Sequence, residues 1–374
     1  MLPEDLDVTA LLGAPRLLAL GEAMHFEPAL PAVRNELFGR LIADHGYRTV
    51  SVESCCLRGR LVDEHVRTGA GEEAEVLRDG FSHGFGEAAG SAELLRLLAA
   101  HNRAHPHDPV GFAGFDAPTE MAAADSPRAA LELAWQGPLP AHVDELLGPD
   151  EPWVEPAAAR APARSIGSDP RVAALRVVVE ELRWDAAARA ADRTPEQRWD
   201  VELGLRVASG LLAYHAAMAE DRPDRFPRLG GIRDSVMAEN LRALTERGPT
   251  LVFAHNQHLR ASAIDWEVGG AVSRWPSAGS LLAARPERRH AVIATAVGVA
   301  EHQGLGEPEA DTVEGRLAAR YDRPALVGVE EIVELSAGAR KRGGSERQLS
   351  YFPLDPAAPR DYDAVLFLPE IGQG

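Results

Sequence analysis

The sequence predicts an α/β fold, with a mainly parallel central sheet flanked by helices, on three observations. Short apolar runs of buried-strand length recur at Leu17–Leu20, Thr49–Val52, Val110–Phe115, Thr250–Phe253, Ala291–Val297 and Ala364–Leu368. Between several of them apolar residues recur at helical spacing, giving the strand, helix, strand rhythm of parallel βαβ units. Most of the runs also end in or beside polar clusters, where such sheets gather ligand-binding side chains into a shared crevice.

The first run stops at Gly21 and delivers Glu22 and His25 in the next turn. Leu30, Val33, Leu37, Phe38, Leu41 and Ile42 then mark the buried stripe of a helix, with Pro31 suited to its first turn and Gly46 to the position past its end. Arg34 lies one turn in, within reach of the same strand exit. Thr49–Val52 closes on Glu53, and a right-handed crossover sets Glu22 and Glu53 at one edge of the sheet. Ser91 is expected to cap a helix running through Leu94, Leu95, Leu97 and Leu98 to about Asn102. The histidine-bearing stretch His101–His107 is proline-containing and non-periodic, so it reads as an exposed loop rather than a ligand set. Val110–Phe115 closes on a third acid, Asp116.

From Ala117 to Gly231 the strand rhythm disappears. Pro and Ala cluster around Gly148–Pro170, and Val172–Ala191 and Pro195–Glu220 read as long helices with wide apolar faces, so residues 117–231 are expected to be a helical insertion forming a lid over the strand C-terminal edge. His215, among Leu211, Tyr214 and Met218, reads as a packed helix residue. Gly230 and Gly231 are expected to lead into a helix carrying Ile232, Val236, Met237, Leu241 and Leu244 and stopped by Gly248. Thr250–Phe253 then ends in Ala254, His255, Asn256, Gln257 and His258, polar types with little reason to crowd a strand exit unless they serve a site. The Arg and Gly rich Ala337–Arg347 reads as a mobile surface loop. The whole, residues 1–374, is expected to be one α/β hydrolase-like domain.

Composition narrows the partners. A net charge of −18 argues against DNA, RNA or an anionic membrane, whose binding rests on Lys and Arg, and fits a neutral or cationic small molecule. Cys55 and Cys56 are adjacent, which rules out a disulfide framework and suggests a reducing, cytoplasmic location. The start is acidic (Glu4, Asp5, Asp7) and broken by Pro15 and Arg16, unlike a signal peptide. The longest later apolar run, Ala291–Ala300, is about half of the ~20 residues a membrane helix needs.

The polar clusters describe hydrolase chemistry. A carboxylate beside an imidazole fixes its tautomer and raises its basicity, so the other ring nitrogen can take a proton from water near neutral pH. Cys55 follows Glu53 closely, but neighbouring carboxylates disfavour a thiolate. No nucleophile elbow, P-loop or dinucleotide fingerprint stands in a suitable strand-to-helix context.

With these residues in view, the chain resembles the erythromycin esterase family. The resemblance rests on LLALGEAMHFEPALPAVRNELFGRLIADHGYRTVSVES, GFAGFDAP, RDSVMAENLRAL, the AHNQH motif after LVF, and the closing YDAVLFLPEI. It implies that Glu22, His25, Arg34, Glu53, His255 and His258 line an active-site cleft that hydrolyses a macrocyclic lactone ester, with His25 as general base for water. On this basis Glu22, His25, Glu53 and His255 are the candidate catalytic residues, and Arg34, Asp116, Asn256 and His258 the candidate substrate-binding ones. Members often carry threonine before the histidine and glycine after it, where this chain has Met24 and Phe26, which implies a bulkier pocket wall. No cofactor is implied, although Glu22, His25, Glu53, His255 and His258 are also ordinary ligand types for Zn²⁺ or Mn²⁺. The alternatives are a natural-product enzyme using the same acid and base for cyclisation, elimination or acyl transfer, and a silent binder of a hydrophobic ligand. The expected partner in each case is a small molecule.

Overall fold

The computed structural model describes residues 2–3, 6–120, 123–268, 271–285 and 290–372, with backbone alone for Glu120, Glu267, Val268 and Ala271. Glu4 and Asp5 lie outside the described residues. Among the described residues seven strands form the central sheet: β1 (Leu17–Glu22), β2 (Thr49–Cys55), β3 (Gly111–Asp116), β4 (Thr250–His255), β5 (His290–Val299), β6 (Ala325–Gly328) and β7 (Ala364–Glu370). Their order is β6-β7-β5-β1-β4-β2-β3, parallel throughout except for β6, which runs antiparallel to β7. The expected mainly parallel α/β sheet is therefore present.

β1 sits between β4 and β5, and its alternating side chains feed two cores. Leu18 and Leu20 pack with Leu30, Leu37, Phe38 and Leu41 of α1 (Ala29–His45) and with Leu94, Leu95 and Leu98 of α2 (Ala89–Ala104). Leu17 and Ala19 face the other way, onto Met237, Ala238, Leu241 and Leu244. Both faces of β1 and β4 are covered, so all of their residues are buried, as a parallel sheet requires. Gly46 ends α1 in the left-handed conformation at φ 69°, where a side chain would be strained.

The insertion includes α3 (Arg128–Trp135), α4 (Pro170–Ala188) and α5 (Pro195–Met218), followed by α6 (Arg225–Arg247), the helix that covers the sheet. α3 to α5 share a separate apolar core that includes Ala130, Leu131, Leu175, Val179, Leu211 and Leu212. His215 is 1% exposed within this layer, its ring edge-on to Trp153. α5 docks behind α6, where the missing side chain of Gly210 leaves room for Val236 and Arg206 donates to Asn240 Oδ1 at 3.1 Å. With its apolar stripe committed there, the insertion forms a third layer beyond α6, and among the described residues of 117–231 none lines the cavity at the strand ends.

Other expectations are corrected locally. β6 carries too few residues for a readable run and passes straight into the helix Val329–Ser336. Ser91 sits inside α2, bonded to Phe85 O, while the helix starts at Ala89. Gly230 and Gly231 lie within α6 rather than before it; Gly230 is small because the Trp275 ring lies against it, 2.7 Å from where a Cβ would be. The segment 337–347 is not simply surface loop, since Arg342 is buried and donates to Val297 O and Gly306 O. His101 still belongs to α2, whereas His105 and His107 are exposed. Among the described residues no helix is long and apolar enough to cross a membrane.

Candidate active site

At the C-terminal end of β1, Glu22 lies in register beside His255 of β4. The turn that follows is pinned from two sides. Ala23 N–H donates to Thr295 Oγ1 of β5 (2.9 Å), and His25 N–H donates to Ser350 Oγ (2.9 Å). Gln348 Nε2 donates to His25 O at 3.0 Å. So held, the His25 ring places Nδ1 2.7 Å from Glu22 Oε1, and Nε2 has no partner among the described residues. Burial opposes a charge on His25, but the bond to Glu22 and the charges of Glu22 and Glu53 outweigh it and hold the imidazole above its ordinary value. Burial likewise raises Glu22. The neutral ring donates Nδ1–H to the carboxylate and leaves the Nε2 lone pair free for a proton.

Glu53, on β2, anchors a buried ionic chain. Its Oε2 accepts His255 N–H at 2.8 Å, and its Oε1 accepts Arg233 Nη2–H at 3.2 Å and lies 3.3 Å from His258 Nε2. His258, on α7 (Asn256–Leu259), presents Nδ1 to Asp234 Oδ1 at 2.8 Å. Burial resists charge on His258, yet Asp234 and Glu53 raise it, and the ring lies between these two carboxylates. Burial also resists charge on Glu53, but His258, His25 and Arg233 hold it far below the usual carboxylate range. Arg233 continues the chain to Asp116 with contacts of 2.6 to 3.1 Å, and Asp116 Oδ2 lies 3.0 Å from His83 Nε2.

A cavity of about 420 Å³ opens at these strand ends. Its polar lining includes Glu22, Glu27, Arg34, Glu53 and Glu87, and its apolar lining Phe26, Phe85, Pro28, Pro31 and Phe253. The His25 ring stands at the edge, 5.3 Å from the ring of Phe85. Arg34 is 2% exposed, donates to Gly90 O and Asn35 Oδ1, and lies 5.0 Å from the Phe253 ring. Burial lowers it to about 10, which leaves it protonated at neutral pH.

The structure thus brings Glu22, His25, Arg34 and Glu53 together, with His255 and His258 immediately behind. Four sequence assignments change. His255 donates Nε2–H to Ser350 O (2.8 Å) and accepts Gln257 N–H at Nδ1 (3.1 Å), so neither nitrogen is free for acid–base work, and burial with the neighbouring His25 lowers it to about 3. Asp116 is 0% exposed with its oxygens engaged by Arg233 and His83, which makes it a support rather than a substrate contact. Asn256 is a strap: Nδ2 donates to Thr295 O (2.9 Å) and Oδ1 accepts Thr295 N–H (3.3 Å), passing over Gly21, where a Cβ would lie 2.1 Å from Oδ1. His258 is also fully occupied by Glu53 and Asp234.

Sequence reading quoted Arg233 and Asp234 only as the start of the RDSVMAENLRAL stretch, without a role, and did not single out His83. Adjacent charges in the apolar-striped α6 were the available signal for the first two, and a histidine flanked by glycine-rich sequence for the third. Cys55 and Cys56 are buried and unpaired; burial pushes Cys55 up to about 11 and Cys56 well above its ordinary value, so neither offers a thiolate. The five side chains considered as metal ligands do not fit a resident cation as arranged, because both nitrogens of His255 are engaged by Ser350 and Gln257 and both nitrogens of His258 by Asp234 and Glu53. Among the described residues no three His, Cys, Asp or Glu side chains converge on a metal position.

Comparison with known proteins agrees with this architecture. The erythromycin esterase family model matches residues 42–371, a span that includes Glu53 and His258 and begins after His25 and Arg34. A mutant of the erythromycin esterase EreC in its open conformation superposes with a TM-score of 0.67 at 17% identity, covering 98% of this chain and 95% of that one. A Bacillus cereus protein gives 0.69 at 14% identity, covering 98% and 91%. A succinoglycan biosynthesis protein gives 0.63 at 14% identity, covering 99% and 91%. At such identities the likeness is one of fold. No curated protein matches the chain in sequence.

Proposed function

Because the chain belongs to the erythromycin esterase family, we propose that it hydrolyses a carboxylic ester or macrolactone of a neutral or cationic small molecule, with His25 as the general base for water. The observation that carries this reading is the His25 imidazole, held by Glu22 at Nδ1, with Nε2 unpartnered among the described residues and the ring beside Phe26 and Phe85 of the cavity lining. A water at Nε2 loses its proton to the ring as its oxygen attacks the ester carbonyl. Glu22 stabilises the imidazolium so formed. Arg34, the cation among the cavity-lining residues, takes up negative charge on the carbonyl oxygen. Collapse of the tetrahedral intermediate expels the alkoxide, which recovers the proton from Nε2, leaving acid, alcohol and neutral His25. Glu53, with His258 and Arg233, keeps a fixed negative field behind the base.

The test is mass spectrometry of macrolides and simple esters incubated with the wild type and with His25→Ala. Gain of one water by the wild type alone, with both proteins equally folded, is the expected result. Turnover retained by His25→Ala removes the base from this role. An isomeric product instead points to cyclisation, and an unaltered but bound ligand to sequestration.

A further inference from the structure

Three described residues other than glycine adopt the left-handed conformation: Phe26 (φ 59°), His83 (φ 57°) and Gln136 (φ 61°). Gln136 terminates a helix, where that conformation is ordinary. The other two flank the cavity: Phe26 lines it, and His83 directly precedes Gly84 and Phe85, which also line it. A bulky aromatic in this region is crowded against its own backbone, and such strain persists where the surroundings enforce it, most often at binding sites. At Phe26 burial offers no compensation, because the side chain is 57% exposed.

The ring has a defined place nonetheless. Its centroid lies 5.5 Å from that of Phe85 and 6.2 Å from that of His25, and His25 and Phe85 are 5.3 Å apart, so the three rings bound a triangle beside the base. Pro28, Pro31 and Phe253 line the same cavity as Glu22, Glu53 and Arg34. An ester bound with its carbonyl at the polar lining has its hydrocarbon portion against these rings.

Resting on the hydrolase reading above, we propose that Phe26 and Phe85 form the subsite for the apolar part of the ester, with Phe26 as a specificity-determining residue that favours long aliphatic chains over acetyl. The rings exclude water from the methylenes, and each methylene so buried strengthens binding about threefold to fourfold.

The test has a binding arm and a turnover arm, on the wild type, Phe26→Gly and Phe26→Asn. Both replacements tolerate a positive φ, so both keep the turn. In calorimetric titrations with unreactive n-alkyl methyl ketones of increasing length, the wild type is expected to gain about threefold to fourfold in affinity per methylene, and the variants less than about 1.5-fold. Equal slopes in all three proteins, or a flat wild-type slope, overturn the subsite. In the turnover arm, kcat/KM for p-nitrophenyl acyl esters should follow the same slopes. Ketone slopes that differ while no ester is hydrolysed retain the subsite and reject the hydrolase reading; esters hydrolysed with one common slope do the reverse. Both variants should melt at or above the wild-type temperature, and a lower one overturns the claim that the fold has no need of this ring.

Discussion

Replacing Glu22 by Gln tests the base most directly, because it keeps the shape of the side chain while removing its charge. The Nδ1 to Oε1 distance is 2.7 Å, and the His25 side chain is 22% exposed, so the interaction is partly but not wholly screened. One neighbouring carboxylate at that range moves a titrating group by about 1 to 3 pH units, or about 1.4 to 4 kcal/mol. An amide can also turn its NH₂ toward Nδ1, which transfers the ring proton to Nε2, the nitrogen that must accept one. Loss of the correct tautomer in comparable histidine systems costs about 10⁴ in kcat, and the expected loss here is about 10² to 10⁴. The pH profile adds a second reading. Neutral His25 is the active form and its ionisation is held above the ordinary value near 6.5, so wild-type kcat/KM should rise with pH through a limb above that value. Without the carboxylate the ionisation falls, and the limb should move to lower pH by a unit or more even as the plateau drops. A pH-stat record of acid release between about pH 5 and 9 measures both. A Glu22→Gln enzyme with the wild-type plateau and an unmoved limb would refute the assignment.

Three other outcomes are expected. Arg233→Met leaves Asp116 and Glu53 buried without their guanidinium and should destabilise the fold by about 3 to 5 kcal/mol, read by urea unfolding. Both carboxylates are held below their ordinary values of 3.8 and 4.5, so their contribution to wild-type stability is complete above those values and should fade as pH falls through the lowered native ones. Asn256→Ala should cost about 1 to 3 kcal/mol of stability with KM little changed; a large KM increase with normal stability would restore it as a substrate contact. Chelator treatment should leave ester turnover unaltered, since both nitrogens of His255 and of His258 are already engaged with protein groups; loss of activity restored by added Zn²⁺ or Mn²⁺ would contradict this.

Much of this was legible in the sequence because buried parallel strands announce themselves as apolar runs and their exits as abrupt polarity. Glu22, His25, Arg34 and Glu53 were found in that way, and all four meet at the cavity or its edge. Periodicity also placed the end of α1 at Gly46, since a left-handed terminus has a residue preference of its own. What polarity does not encode is direction. Asn256, Asp116 and His255 sit at strand ends as expected, but each aims at a protein partner: the backbone of β5, the guanidinium of α6, the carbonyl of Ser350. Ser350 and Gln348, more than 300 residues from His25 along the chain, hold its backbone from a segment with no motif to mark it. The insertion was legible as helical, but its packing on α6 was not, because a wide apolar face does not name the helix it meets.

The two sequestered sulfurs have a practical consequence. Cys55 and Cys56, 1% and 3% exposed and held protonated, present nothing for an alkylating reagent to meet in the native protein. A cysteine introduced at Leu349, which is 85% exposed and adjoins Ser350, would therefore take a spin label or fluorophore selectively without prior removal of the native thiols. The segment that steadies the His25 backbone could then be followed in solution by spectroscopy on an otherwise unaltered chain.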